Sequence, residues 1–243
     1  MTNFTFNAAF RRELRESAHH YGEVTFLESV LRPGMTVIEG GANRGVTAIA
    51  IAKAVGKKGC VHAFEPVPEY FKALQQNVSR NKIRNMSIHN LALSDKNGSI
   101  RFYKHGEGSG VTHVEEAETI RVQATTLPHF LGRHNISRLD FINCDCEGSE
   151  LLVFRKARSL LKEQAPSIFC EVHRDYLKAL NQSVQDVVEF LQVLGYTVKP
   201  IQVEDLNSDS DFEHCSHVYA SMNQSKPIAR KGPSVSKNRE LNA

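Results

Sequence analysis

An α/β architecture, an open and mostly parallel sheet covered by helices, is what this sequence predicts, on three observations. Short β-branched apolar runs alternate with amphipathic stretches from about Thr25 onward, the pattern of buried strands joined by crossover helices. A glycine-rich turn, Glu39-Gly40-Gly41-Ala42-Asn43-Arg44-Gly45, separates the first such run from the first such stretch. Polar or acidic residues also stand at the strand ends, namely Glu39, Glu65, the Ala92-Leu93-Ser94-Asp95 turn, Asp145 and Glu171. Open α/β sheets bind ligands outside the carboxyl ends of their strands.

The elements follow in order. Residues 10–31 read as one or two helices capping the sheet, residues 36–39 (TVIE) as the first strand after Pro33-Gly34, and residues 46–55 as a helix. Residues 60–65 (CVHAFE) form the second strand, and residues 68–80 carry Tyr70, Phe71, Leu74 and Val78 at helical spacing. A third strand covers residues 86–91. Two alternating segments, 99–103 and 119–123, flank a Gly- and Glu-rich stretch and predict an inserted hairpin across 99–125. The Gly106 to Gly110 loop with Glu115, Glu116 and Glu118 would be its tip, either a lid or an ordinary solvated end. The alternation resumes with a strand at 139–144 (LDFINC), a helix at 149–161, a strand at 167–172 (SIFCEV) and a helix at 183–194 closed by Gly195. Residues 196–201 and 217–221 complete a seven-stranded sheet as an antiparallel pair at its edge.

Composition sets the outer bounds. The chain has 243 residues, with 30 Lys and Arg against 27 Asp and Glu, which suits one domain over residues 1–222 with a helical cap at 1–31. Residues 221–243 carry +4 of the +3 net charge, leaving the body at −1. That stretch is poor in apolar residues, so residues 223–243 are expected to be a disordered basic tail, and a nearly neutral body is a poor match to nucleic acid. No apolar run approaches the ~18 residues of a membrane span, and the N-terminus does not read as a secretory signal; cytoplasmic location is the expectation. Five cysteines, Cys60, Cys144, Cys146, Cys170 and Cys215, read as reduced thiols.

The first turn carries the ligand argument. Glycines allow close backbone approach and positive φ, and the helix starting near Arg44 offers unpaired N–H groups. Glu65 follows Gly45 by 20 residues at the next strand end, where a carboxylate can accept the ribose hydroxyls of an adenosine. A dinucleotide fingerprint would need glycine where Ala42 stands, and a pyrophosphate would be repelled by Glu39, a carboxylate expected to point into the site. The amino group of a methionine-like moiety would not be. The phosphate-loop Lys is also missing, because Gly45 is followed by Val46-Thr47. S-adenosylmethionine is the ligand that fits.

These residues resemble those of a known family. From about Glu23 to His173 the chain resembles the FkbM-type S-adenosylmethionine-dependent methyltransferases. The resemblance rests on Pro33-Gly34, Val37-Ile38-Glu39-Gly40-Gly41-Ala42-Asn43-Arg44-Gly45, Ala63-Phe64-Glu65-Pro66, Leu91-Ala92-Leu93-Ser94-Asp95, Asp140-Phe141-Ile142-Asn143-Cys144-Asp145-Cys146-Glu147-Gly148-Ser149-Glu150 and Glu171-Val172-His173. The family usually has Asp at Glu39 and Val at Gly40, and a Lys-Ile-Asp-Val-Glu-Gly-Ala-Glu string over residues 143–150. The resemblance implies a Rossmann-like class I methyltransferase fold and, in its best-known members, methylation of a sugar or polyketide hydroxyl. It further implies that Glu39 orients the methionine amino group through Gly41, Ala42, Asn43 and Gly45. Glu65 with Pro66 would hold the ribose, Ala92 and Leu93 border the adenine, and Asp145 reach the cofactor.

A hydroxyl acceptor must lose a proton, and Asp145, Glu147 and His173 are the candidate bases. Asp145 with Glu171 and His173 could instead make an oxygen-rich divalent-metal site, which is not the favoured reading, and no metal ligand is assigned. Glu150 reads as a first-turn acid of its helix. His19, His20, His129 and His134 are taken as surface residues. A nucleic-acid amino methyltransferase should show an Asn/Asp-Pro-Pro-aromatic string where this chain has Asp145-Cys146-Glu147-Gly148. A non-catalytic cofactor-binding module would need none of the later acids, and a protein methyltransferase is a further alternative. The acceptor expected is a small molecule, a sugar or a glycan precursor.

Overall fold

The computed structural model describes residues 3–105, 108–112 and 117–222; the expected tail and part of the hairpin tip, including Glu115 and Glu116, lie outside the described residues. In chain order the elements are α1 (Ala8–Leu14), α2 (Ala18–Val30), β1 (Thr36–Gly40), α3 (Val46–Val55), β2 (Cys60–Phe64), α4 (Pro68–Arg80), β3 (Met86–His89), β4 (Ala92–Leu93), β5 (Gly98–His105), β6 (Gly108–Gly110) and β7 (Glu118–Thr125). Then come α5 (Leu127–Arg133), β8 (Phe141–Cys144), α6 (Glu150–Lys156), α7 (Arg158–Gln164), β9 (Ser167–Glu171), α8 (Arg174–Ala179), α9 (Val184–Val193), β10 (Thr197–Ile201) and β11 (His217–Ser221).

Seven strands form the main sheet in the order β10-β11-β9-β8-β1-β2-β3. The five strands from β9 to β3 run parallel, and β11 is inserted antiparallel between β9 and β10. Alternate residues of the central strands bury on opposite faces, as a two-residue period requires. Val37, Phe141 and Phe169 join Leu27, Ile51 and Val55 under α2 and α3, whereas Ile38, Ile142 and Ile168 join Phe130, Leu151, Phe154 and Leu191 under α5, α6 and α9. Each fully buried side chain of this size is worth about 1.5–3 kcal/mol, so both helical layers are held by the same strands. The strand order reverses between β1 and β8: the chain leaves β1 toward β2 on one side and β8 toward β9 on the other, and this leaves a crevice above the two strand ends.

Three expectations are corrected in detail. Residues 149–161 were expected to form one helix, yet the helix breaks at the buried Ala157, whose φ of −91° and ψ of 9° end α6 and begin α7. The inserted hairpin is present as β5 paired antiparallel with β7, but it belongs to a second sheet, β4-β7-β5-β6. Ala92-Leu93, expected in a turn, is strand β4 of that sheet, parallel to Ala124-Thr125. Burial of Ile100, Phe102 and Val122 against Val67 and Tyr70 packs this second sheet onto the start of α4.

The N-terminal helices are closely docked. A Cβ on Gly22 would lie 1.7 Å from the carbonyl oxygen of Val203, so only glycine lets α2 meet the turn before β11 at this distance. Phe4, Phe6, Phe10 and Leu14 bury against Ile49 and Ala50 of α3, which brings the α1–α2 junction over the crevice.

Candidate active site

The turn after β1 is clamped on both sides. The N–H groups of Gly41 and Ala42 donate to the Phe64 carbonyl of β2, at 3.1 and 2.8 Å, and the Asp145 N–H donates to the Gly40 carbonyl, at 2.9 Å. Gly41 has φ +82° and Gly45 φ +93°, left-handed values that glycine adopts freely. Gly45 then opens α3.

Glu65 directly follows β2, the strand-end position at which the sequence puts it. One carboxylate oxygen accepts the Asn43 N–H and the other the Val67 N–H, both at 2.8 Å, so the acid at the end of β2 braces the glycine turn. Burial raises its carboxyl to about 7, against the pull of those two backbone hydrogen bonds. It lines a narrow cleft of about 40 Å³ with Pro66, Leu91, Ala92, Leu93 and Phe102. Gly41, Asn43 and Asp145 continue from that cleft into a larger cavity of about 280 Å³, walled by Ala42, Gly45, Thr47, Asn143 and, from α2, Glu23.

Glu39 is placed differently from expectation. It is 1% exposed and forms no part of either cavity wall. The Thr47 hydroxyl donates to its Oε1, and its buried Oε2 has no hydrogen-bond partner among the described residues. Burial raises this carboxyl to about 8, with Thr47 and Asn143 pulling it down. Alternation along β1 puts Glu39 on the same face as Val37, under α3, and its neighbours Thr47 and Asn143 stand between it and the larger cavity, whose wall they form.

The candidate bases meet at the ends of β8 and β9. Asp145 borders both cavities and Glu147 the narrow one, while His173 borders neither. His173 Nε2 lies 3.4 Å from Glu147, 3.5 Å from Glu171 and 3.8 Å from Asp145. Burial pulls this imidazole down, but Glu150, Asp145, Glu171 and Glu147 together raise it to about 10. Burial raises Asp145 well above the carboxylate range, with the charges of Glu171 and Glu147 adding to it and His173 opposing. Asp145 Oδ1 is buried without a hydrogen-bond partner.

The turn holding these acids is itself shaped for them. Glu147 adopts φ +49° and Gly148 φ +94°, and a non-glycine residue in the left-handed region costs about 1 kcal/mol or more. Glu150 compensates from the first turn of α6, its Oε1 accepting the N–H groups of Cys146 and Gly148, both at 3.0 Å. The first-turn reading of Glu150 is therefore right, with the added role of fixing the turn.

Other residues of the walls carried no signal in the sequence. Leu14, Ser17, His20 and Glu23 reach the larger cavity from the N-terminal helices, and Phe102 and Ser109 reach the narrow one from the second sheet. All five cysteines are free, with Cys144 and Cys146 sulfurs 3.6 Å apart. His20, His129 and His134 are exposed as expected, but His19 is not a simple surface residue: its Nδ1 lies 2.7 Å from Glu204 and its Nε2 3.3 Å from Glu171.

Sheet order, glycine turn, the acid at the end of β2 and connected cavities define the class: an S-adenosylmethionine-dependent methyltransferase fold. Comparison with known proteins agrees and sharpens it. The Methyltransferase FkbM domain family matches residues 39–198, and the chain belongs to this family, whose cofactor is S-adenosylmethionine. A curated relative, Methyltransferase 1 of Beauveria bassiana (strain ARSEF 2860), is 22% identical over 49% of this chain and 57% of its own length. The FkbM methyltransferase structure from Methylobacillus flagellatus KT superposes with a TM-score of 0.54 at 16% identity, over 82% of this chain and 51% of that one. An O-methyltransferase from Bacillus cereus in complex with SAH gives a TM-score of 0.51 at 14% identity, over 88% of each chain. The chain thus spans about half the length of the first two. No helix among the described residues is long and apolar enough to cross a membrane.

Proposed function

We propose that this protein methylates a hydroxyl oxygen of a small neutral or sugar-like acceptor, using S-adenosylmethionine, with Asp145 taking the hydroxyl proton. The observation that carries the reading is the position of Asp145, common to both cavities, with a buried carboxylate oxygen, Oδ1, that accepts no hydrogen bond among the described residues and faces His173 Nε2 at 3.8 Å. The residues present fit the cofactor. Glu65 supplies a carboxylate for the ribose, Leu91, Ala92, Leu93 and Phe102 an apolar slot for the adenine, and Gly41 and Asn43 a backbone path into the larger cavity.

When bound, S-adenosylmethionine supplies an electrophilic methyl group whose departure leaves a neutral thioether. The protein's part is to place the acceptor oxygen in line and to remove its proton. Asp145 is at the junction where an acceptor entering the larger cavity would meet the cofactor. Glu147 shares the wall and His173 faces both acids from behind, which makes it a positioning residue in this reading. The same acids argue against a nucleic-acid acceptor. Glu23, Glu65, Asp145 and Glu147 line the two cavities, and a phosphate backbone would meet four carboxylates with one cation, Arg44, among the residues of the larger wall.

Two measurements test the reading. The ionised form of Glu65 is the better acceptor of ribose hydroxyls. Its carboxyl is raised to about 7, so S-adenosylhomocysteine affinity should climb as pH rises from 6 to 8, by up to about tenfold per pH unit below 7. Calorimetry should show a flatter profile in Glu65→Gln and an affinity lower by ~1–3 kcal/mol in Glu65→Ala; absent binding by the wild type would overturn the cofactor side. Methyl-labelled cofactor offered to hydroxylated sugars and phenols, to RNA and DNA, and to protein should deliver label to the small hydroxyl compounds. Label confined to nucleic acid or protein would overturn the acceptor side.

A further inference from the structure

Four side chains outside the proposed catalytic group converge behind the larger cavity. His19 and Glu23 are one helical turn apart on α2 and so share a face. Glu171 ends β9 and His217 starts β11, and the two are cross-strand partners. The arrangement alternates imidazole and carboxylate around a ring. Glu23 faces His19 Nε2 at 3.7 Å and His217 Nε2 at 3.5 Å; Glu171 faces the same two nitrogens at 3.3 and 4.0 Å. One ligand atom from each of the four lies within 4.8 Å of every other. Tetrahedral ligands at 2.0–2.1 Å from a zinc ion are about 3.3 Å apart, so small side-chain adjustments bring all four onto one centre.

The outer contacts point the same way. Metal-bound histidines usually commit their second ring nitrogen to a carboxylate or hydroxyl, which fixes the tautomer and aims the first nitrogen. Here His19 Nδ1 meets Glu204 at 2.7 Å and His217 Nδ1 meets the Ser216 hydroxyl at 3.1 Å, leaving both Nε2 atoms directed inward. Phe169 stacks on the His217 ring at 4.4 Å and closes one wall. Side-chain exposure falls from 31% at His19 to 1% at His217, so an ion would enter from the His19 side. Magnesium and calcium prefer oxygen-only sets, whereas two imidazoles with two carboxylates suit a first-row transition ion.

We infer that His19, Glu23, Glu171 and His217 bind one divalent transition-metal ion of the zinc type, which ties helix α2 to strands β9 and β11 along the wall of the larger cavity. Four protein ligands close the coordination shell, the mark of a structural site. This inference does not depend on the acceptor proposed above. It also differs from an ion held by Asp145, Glu171 and His173, which the sequence made conceivable and the structure again brings within range.

The full chain, stripped with a chelator and passed through a desalting column, should take up one equivalent of zinc and show a higher thermal midpoint with zinc than without. Cobalt in its place should give the strong visible absorption of a four-coordinate ion. Glu204→Gln should weaken zinc binding about 10- to 100-fold, and His19→Ala and Glu23→Gln should weaken it further. His19 is the partly exposed ligand, so its variant is the one best placed to fold normally, and circular dichroism checks that it has. The double variant Asp145→Asn, His173→Gln should still bind one equivalent. No zinc uptake by the wild type would overturn the inference, as would uptake unchanged in both His19→Ala and Glu23→Gln, or uptake lost in the Asp145, His173 double variant.

Discussion

Replacing Gly41 with alanine is expected to cost about 4 kcal/mol or more of stability and to remove S-adenosylhomocysteine binding. Two costs coincide at this position. Its φ of +82° is left-handed, which alone penalises alanine by about 1 kcal/mol or more. The added Cβ would also lie 1.8 Å from the Asp145 carbonyl oxygen, less than any real contact distance. That carbonyl belongs to backbone and has no room to give, because the Asp145 N–H is bonded to Gly40 and the Gly41 N–H to Phe64. Relief therefore requires β1 and β8 to separate at their carboxyl ends, which displaces Asn43 from Glu65 and opens the crevice. Gly34→Ala is the matched control: φ is +88° but no atom lies within 4 Å of its Cβ position, so only the backbone penalty applies. Thermal unfolding of both, with calorimetry of the folded fraction, checks the contrast. A Gly41→Ala protein with the midpoint of Gly34→Ala would refute the close approach.

That contrast shows what the sequence could carry. The glycine turn was readable because its position between a strand and a helix, 20 residues before an acid, restricts its use. The strands β1, β2, β8 and β9 were readable because burial on both faces demands continuous apolar runs, and α4 because Pro68 opens a strongly one-sided helix. Short helices left no such pattern. In α5, LPHFLGR contains both Pro and Gly, and α8 has six residues, too few for a period to repeat. The break at the buried Ala157 has no Pro or Gly to announce it.

The site divides along the same line. Residues at strand ends were legible, since topology fixes where a strand end points. Glu39 shows the limit of that rule: the sequence places it at the end of β1, but not its burial beside Thr47, which depends on how α3 packs on the strand. His19 was misread as surface because its partners Glu171 and Glu204 lie more than 150 residues away in sequence, and the one local cue, Glu23 four residues on, is common on helices. No local pattern reports that α2 docks where β9 and β11 end. Only the tertiary fold brings these side chains together.

Asp145→Asn should lower methyl transfer by about 10²- to 10⁴-fold at matched cofactor occupancy, the range for loss of a positioned general base. The comparison that gives this force is with its neighbours. Glu147 is partly committed to the backbone of Ser109, which lowers its carboxyl against the larger effect of burial, and its strained φ serves the turn. Glu147→Gln preserves that hydrogen bond and is expected to cost far less. His173→Gln removes the imidazole facing Asp145 from 3.8 Å without touching either cavity wall, so a positioning role predicts an intermediate loss that lies mainly in kcat rather than in KM for the acceptor. Measurement of S-adenosylhomocysteine release with an accepted hydroxyl compound orders the three. If Asp145→Asn and Glu147→Gln lost equally little, proton removal would not fall to this pair. A greater loss in Glu147→Gln than in Asp145→Asn would move the base to the narrow cleft, since Asp145 alone of the two opens onto the larger cavity where an acceptor has space to enter.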